Sequence, residues 1–257
     1  NLIRQYDLNS NTSNIDRDIQ NDLNMSSISV NQLNGNMVIS EPDNNSIVVY
    51  PQSELGVLSS SRVTSLSGGY NTFSNPQSVL YDYIRRNIWV CDTSNHRVLI
   101  LNSETFVVKG DISTEIDYPY AMAVDLNSGD AFIRGYDNGI LSRGAVYRCN
   151  TAGDLIEAFA YNCEVSSSYP SYNTIVFDHV RSRLWWIHDI TIYMCDLKNN
   201  ELRTFSLDNE GFTNTYGIEV DLPTGNAFVI SGDSNDRYII QIFRDNNIIL
   251  ARAYVGV

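Results

Sequence analysis

One unit recurs about every 45 residues along this chain, and that repeat constrains the fold more than any other feature. Each copy begins with a short apolar strand closed by Asp or Asn. A tight turn, an apolar strand, a polar turn and another apolar strand follow. The closing residues are Asn31, Asp82, Asp125, Asp178 and Asp221. The clearest copy is NPQSVLYDYIRRNIWVCDTSNHRVLIL at 75–101. No copy could bury its apolar face alone. Successive copies must stack, and short strands at this period read as the blades of a β-propeller.

Alternating apolar residues between clusters of Asn, Asp, Gly and Ser place four strands in each copy. The innermost lie near 28–31, 78–82, 121–125, 173–178 and 216–221, and the second near 36–40, 87–91, 130–134, 183–188 and 226–231. The third lie near 46–50, 97–102, 144–149, 190–196 and 237–244, and the outermost near 61–66, 104–110, 154–160, 201–207 and 247–254. LNGN (33–36), LNSGD (126–130) and LPTGN (222–226) join first to second strands, each with Gly where a hairpin needs a positive φ. The expected fold is all-β: one propeller domain over 1–257 with four-stranded antiparallel blades.

Residues 1–25 break the pattern. IRQYDL (3–8) reads as a third strand and 9–25 as a polar linker, so the chain opens partway through a blade. Six blades are therefore expected, counting five repeats over 26–257 and the partial one. The alternative is five, with the first residues decorating an edge. The first residue, Asn1, reads as the mark of processing or of a longer polypeptide.

The formal net charge is −13, and Lys109 and Lys198 are the sole lysines. No basic run exists, so the surface repels phosphate backbones and nucleic-acid binding is not expected. The apolar runs are strand-sized, and no membrane span is expected. Abundant Asn with scarce Lys suits an extracellular, cell-surface or particle-associated setting. Cys91, Cys149, Cys163 and Cys195 lack zinc-site spacing. Cys91 reads as a small core residue, and a bridge between Cys149 and Cys163 is a candidate within one blade.

The copy at 75–101 resembles the NHL repeat through Pro76, Asp82, the strand Ile88–Val90, Asp92, Asn95, Arg97 and the strand Val98–Leu101. Later copies match less closely. The third keeps Pro119 and Asp125 with a longer loop before Arg143, and the fourth keeps Pro170 and Asp178 but loses Asn-x-Arg. The resemblance implies a β-propeller, usually six-bladed. The family's functions span protein binding, RNA binding and lyase or hydrolase chemistry, so it selects none.

Two residue sets could carry function at the end where inter-blade loops and second-to-third turns meet. The turns hold Asp43, Asp92, Asp137, Asp189 and Asp233, with Glu41 and Asp236 nearby. These carboxylates would either hold a divalent cation, calcium above all, or cap their own turns. The inter-blade loops hold Tyr70, Phe73, Tyr118, Tyr120, Tyr169, Tyr172, Phe212 and Tyr216. Those rings would form a protein- or glycan-binding rim or pack between blades. His96, His179 and His188 come with no nucleophile–base signature, and Trp89, Trp185 and Trp186 are expected to fill gaps between blades. The expectation is a non-catalytic binding or scaffold module without a cofactor. The alternatives are a metal-dependent hydrolase or lyase, and a structural subunit assembled with other chains.

Overall fold

The structure is a computed structural model, and it describes residues 2–6, 15–20, 25–51, 61–66, 69–113, 116–137, 140–164, 175–188, 190–207, 214–232, 237–242 and 248–254. Among these residues the only helices are two single 3-10 turns, at Pro42–Asn44 and Thr93–Asn95. No helix is long and apolar enough to cross a membrane. The fold is an all-β propeller of four-stranded antiparallel blades, and the described residues form five of them. The chain divides into two compact units, Asn1–Asp111 and Ile112–Val257.

In unit 1, strands β1 (Leu2–Tyr6) and β2 (Ile15–Gln20) pair with each other. Blade 1 is β3 (Ser27–Val30), β4 (Met37–Glu41), β5 (Ser46–Tyr50) and β6 (Ser61–Val63). Blade 2 is β7 (Pro76–Asp82), β8 (Asn87–Asp92), β9 (Arg97–Asn102) and β10 (Val108–Ile112). In unit 2, blade 3 is β11 (Ile116–Val124), β12 (Ala131–Asp137), β13 (Ile140–Cys149) and β14 (Leu155–Glu164). Blade 4 is β15 (Ile175–Asp178), β16 (Arg183–His188), β17 (Thr191–Asp196) and β18 (Glu201–Ser206). Blade 5 is β19 (Asn214–Asp221), β20 (Asn226–Gly232), β21 (Arg237–Ile242) and β22 (Ile248–Tyr254). Every blade is a simple meander, each strand bonded to the next in sequence.

The opening segment departs from the expectation of a partial sixth blade. Strand β1 lies in a two-stranded sheet with β2, in register Leu2↔Gln20 to Arg4↔Asp18, and β2 falls where a polar linker was expected. The segment I-D-R-D-I-Q at 15–20 has Arg17 between its two isoleucines, so the period-two signal of a strand is broken there, and its Asn-rich flanks conceal it further.

The closing Asp or Asn recurs because it caps its own hairpin turn. Asp178 Oδ1 accepts the N–H of Val180 (3.0 Å) and Arg181 (3.1 Å). Asn31 Oδ1 accepts Leu33 N–H at 3.0 Å, and Asp125 Oδ1 accepts Asn127 N–H at 2.9 Å. Four residues after the cap the chain turns left-handed. Gly35, Gly129 and Gly225 take this position at φ 69°, 85° and 75°, as the turn chemistry predicts. Arg86 and Ser182 hold it in blades 2 and 4 at φ 54° and 57°.

The core lies between blade faces. In unit 1, Val38, Ile47 and Val49 of blade 1 pack on Val79, Tyr81, Ile88, Val90 and Leu99 of blade 2. Two serines of β3 add polar stitches, because Ser29 Oγ accepts the N–H of Tyr81 (2.9 Å) and Ser27 Oγ that of Val79 (3.3 Å). These bonds satisfy edge groups of β7 that a neighbouring strand would otherwise have to meet. In unit 2, successive side chains of β16 point to opposite faces. Trp186 packs toward Phe132 and Phe177 of the blade 3–4 layer, where those two rings stack at 4.8 Å. Trp185 packs with Ile218, Val220 and Val229 in the blade 4–5 layer. Burial of a large apolar side chain contributes roughly 1.5–3 kcal/mol, and the alternation of faces lets two tryptophans adjacent in sequence serve the two layers.

Candidate functional site: the loop-bearing end

In unit 1 a network centred on Asp92 ties the turn after β8 to the loop leading into β7. The Asp92 carboxylate is buried. It accepts Ser74 N–H at 2.7 Å, Asn95 Nδ2 at 2.9 Å and Arg97 Nε at 2.8 Å. Asn95 Nδ2 also donates to Thr72 O (3.0 Å), and Arg97 Nη2 to Asn71 O (3.3 Å). The Arg97 guanidinium lies over the Tyr70 ring, 5.5 Å from its centroid. Asp, Asn and Arg at this spacing therefore serve to pin the loop 70–75. Tyr70 is half-buried and donates its hydroxyl to Asp111 Oδ1 at 2.8 Å. That bond and partial burial hold its phenol above the ordinary value.

The counterpart of Asp92 in blade 1 is Glu41, not Asp43. Glu41 pairs with Ser46 and Asp92 with Arg97 at the same point of their ladders. Each acid precedes a 3-10 turn that ends in a left-handed residue, Asn45 (φ 50°) or His96 (φ 52°). Glu41 is buried, accepts Ser46 Oγ at 2.9 Å and pairs with Arg62 at 3.1 Å. Asp43 is exposed on the turn itself. In the other blades the same position holds Asp137 (opposite Ile140), His188 (opposite Thr191) and Gly232 (opposite Arg237). Equivalent positions thus do not present five carboxylates. Asp189 and Asp233 lie outside the described residues. Among the described residues no three His, Cys, Asp or Glu side chains gather in a metal-holding group.

In unit 2 the loop-bearing end of blade 3 is built on a bulge. Asp117 pairs with Tyr136 and Ala121 with Arg134, so residues 118–120 face Gly135 alone. Tyr118 is held at φ 43°. An L-residue costs roughly 1–2 kcal/mol in that region. Gly135 makes the bulge possible, because a Cβ there would lie 2.5 Å from Ile116 Cγ2 and 2.8 Å from Asp117 O. Three tyrosines cluster on this bulge. Tyr118 meets Tyr136 edge-on at 6.1 Å, and Tyr120 lies 6.0 Å from Tyr136. Buried Arg134 sits 5.1 Å from the Tyr120 centroid and donates through Nη1 to Ile187 O of blade 4. Blade 2 has the same device, with Asn75 at φ 52° before Pro76 and a register shift between Pro76 and Ser78. In blade 5, Tyr216 is the extra residue of the bulge between Thr215 and Gly217.

The expected aromatic rim therefore divides. Phe73 (1% exposed) and Tyr120 (9%) are core residues between blades. Tyr70 in unit 1, and Tyr118 and Tyr216 in unit 2, are half-buried, each at the loop-bearing end of its own blade. Tyr169 and Tyr172 lie outside the described residues. Sequence reasoning passes over Gly135, Arg134 and Tyr136; the one available signal is the shared Xaa-Pro step at Asn75–Pro76 and Tyr118–Pro119. The two histidines of unit 2 are not brought together. His96 caps a turn at the loop end, His179 lies in the hairpin turn at the opposite end of blade 4, and His188 ends β16.

The candidate bridge between Cys149 and Cys163 is excluded by register. Cys149 is opposite Leu155 and Cys163 opposite Gly144, so they occupy opposite ends of one hairpin. Five residues of strand span roughly 17 Å, against the roughly 7 Å limit for a bridge. Cys91, Cys149 and Cys195 are buried free thiols.

No family model matches the chain, and no curated protein matches it. Solved structures do. A chain of Kuenenia stuttgartiensis hydrazine synthase superposes with TM-score 0.67 at 9% identity, over 89% of this chain and 68% of that one. A chain of a nidogen/laminin complex superposes with TM-score 0.60 at 10% identity, over 86% and 80% respectively. At such identities the likeness is one of fold. The chain is an all-β propeller of four-stranded antiparallel blades.

Proposed function

We propose that this propeller is a non-catalytic, NHL-like binding module that engages a protein or glycan through the half-buried tyrosines Tyr118 and Tyr216 of the loop-bearing blade ends of unit 2. The observation that carries this reading is Tyr118 at φ 43° on a bulge that only Gly135 accommodates. A bulky residue kept in a strained conformation works against stability, and such strain collects at functional sites. Tyrosine offers apolar area and a hydroxyl at little entropic cost, which suits a contact residue. In unit 1 the carboxylates Glu41 and Asp92 are taken up by protein donors and serve to hold the loops. One structural neighbour was solved in a complex of nidogen with laminin, which accords with a propeller used for protein contact.

The test pairs stability with binding. Screening the chain on a glycan array and against proteins that co-purify with it from its native source supplies the ligand. Tyr118→Gly relieves the strain but forfeits the ring contact with Tyr136, so the melting temperature should stay close to the parent value while binding weakens at least tenfold. Tyr216→Ala should also weaken it. Unchanged affinity in both variants would defeat the reading.

A further inference from the structure

The first hairpin turns of blades 1, 3 and 5 are built alike, and blade 1 differs in one reactive side chain. In each, the glycine N–H donates to the carbonyl of the strand-closing residue: Gly35 to Asn31 O (2.7 Å), Gly129 to Asp125 O (2.6 Å) and Gly225 to Asp221 O (2.6 Å). In each, the side chain before the glycine accepts the N–H two residues on, as Asn, Ser and Thr do in turns. Ser128 Oγ accepts Asp130 N–H (3.1 Å), and Thr224 Oγ1 accepts Asn226 N–H (3.3 Å). Blade 1 makes the same bond with a carboxamide, because Asn34 Oδ1 accepts Asn36 N–H at 3.0 Å. A hydroxyl in this place is inert. A carboxamide is an electrophile set beside a backbone nitrogen.

The bond to Asn36 draws the Asn34 carbonyl forward along the chain, toward Gly35. The same N–H polarises that carbonyl and faces the oxygen on which charge develops as a nucleophile adds. Gly35 carries no Cβ to hinder the approach. Gln32, Leu33 and Asn34 are exposed, so hydroxide reaches the turn, and the Gly35–Asn31 bond can open locally without disturbing the core. Among the described residues Asn34–Gly35 is the single Asn-Gly step. We propose that Asn34 is a site of spontaneous deamidation and backbone isomerisation. Gly35 N loses its proton to hydroxide and bonds to Asn34 Cγ. The Cγ–Nδ2 bond breaks and the side-chain nitrogen leaves as ammonia. Water then opens the cyclic imide at either carbonyl, leaving aspartate or isoaspartate at position 34. Aspartate keeps an acceptor for Asn36 N–H. Isoaspartate adds a carbon to the main chain inside the turn, which displaces Gly35 from Asn31 and loosens the β3–β4 hairpin of blade 1.

Incubation of the full, folded chain at mildly alkaline pH, followed by peptide mass spectrometry with fragmentation that separates aspartate from isoaspartate, tests this. Asn34 should gain the mass of an amide exchanged for a carboxyl, faster as pH rises and several-fold faster than Asn127, which is exposed in the matching turn of blade 3. Asn34→Ser installs the residue that blade 3 uses, so it should keep the parent melting temperature and abolish the change at position 34. Asn34→Asp should also keep the parent melting temperature, while the isoaspartate form, separated by ion exchange, should melt lower and exchange its β3–β4 amides faster. No conversion of Asn34 in the folded protein, under conditions where the urea-unfolded chain converts there, overturns the proposal. So does conversion no faster than at Asn127. An isoaspartate form as stable as the parent overturns the effect assigned to the hairpin.

Discussion

Gly225→Ala is a sharp test of how adjacent hairpin turns support one another in unit 2. Gly225 lies at φ 75°, and a Cβ there would sit 2.5 Å from Arg181 Nε and 2.6 Å from Arg181 Cζ. The guanidinium cannot simply move aside, because it spans Asp178 Oδ2 (3.1 Å), Leu222 O (2.8 Å) and Pro223 O (2.9 Å). Alanine therefore has two costs. The left-handed backbone costs roughly 1–2 kcal/mol, of which a lower unfolded-state entropy returns about 0.5 kcal/mol. Displacing Arg181 forfeits charged hydrogen bonds nominally worth about 1.5 kcal/mol each. Those need discounting, because the side chain is 19% exposed. Together the loss should be about 2–4 kcal/mol. In an Arg181→Ala background only the backbone cost remains, about 1 kcal/mol. The double-mutant cycle should thus show a coupling of at least about 1 kcal/mol. Urea unfolding of all four proteins at constant m-value measures it. If Gly225→Ala costs the same in both backgrounds, Arg181 does not hold the turn, and the account of the stitched turns fails.

Three further outcomes follow from the geometry. Ser182→Gly relieves a side chain at φ 57°, worth roughly 1–2 kcal/mol, against about 0.5 kcal/mol of added unfolded-state entropy, and should raise the urea midpoint; a loss of stability would show that Ser182 makes an essential contact. Asp92→Ala strips the buried anchor from Ser74, Asn95 and Arg97 and should cost about 3 kcal/mol, with faster amide exchange at Ser74 marking release of the loop 70–75; protection unchanged there would refute the pinning role. Burial, helped by Asp130 and Asp154, pushes the Cys149 thiol from 9.0 up to about 12, and burial raises Cys91 and Cys195 as well. A folded value above the unfolded one means that the Cys149 contribution is complete below about pH 9 and is lost as pH climbs toward 12, by up to about 1.4 kcal/mol per unit. Stability should fall between pH 9 and 10.5, less steeply in Cys149→Ala; a flat profile would refute it.

What the sequence discloses depends on how far a side chain reaches for its partner. The strand-closing acids are legible because their acceptors meet donors two or three residues on, as Asp178 does with Val180 and Arg181. The strands are legible because each buries faces that alternate with period two, and Trp185 beside Trp186 discloses a strand covered on both sides. Asp43 misleads for the opposite reason. By residue type it matches Asp92, yet the shared position is defined by the left-handed Asn45 and His96, and the residue with the matching bonds is Glu41. Arg134 reads as a surface arginine until blade 4 supplies Ile187 O, 53 residues away, as its acceptor. The strain at Tyr118 is illegible too, since it arises from how β12 sits under the bulge at Gly135. Contacts set by how one strand or blade sits on another are thus the ones hidden in sequence. Tyr118 and its neighbours depend on such contacts, and a substitution at Gly135 should disable the loop end without touching any residue that a ligand would meet.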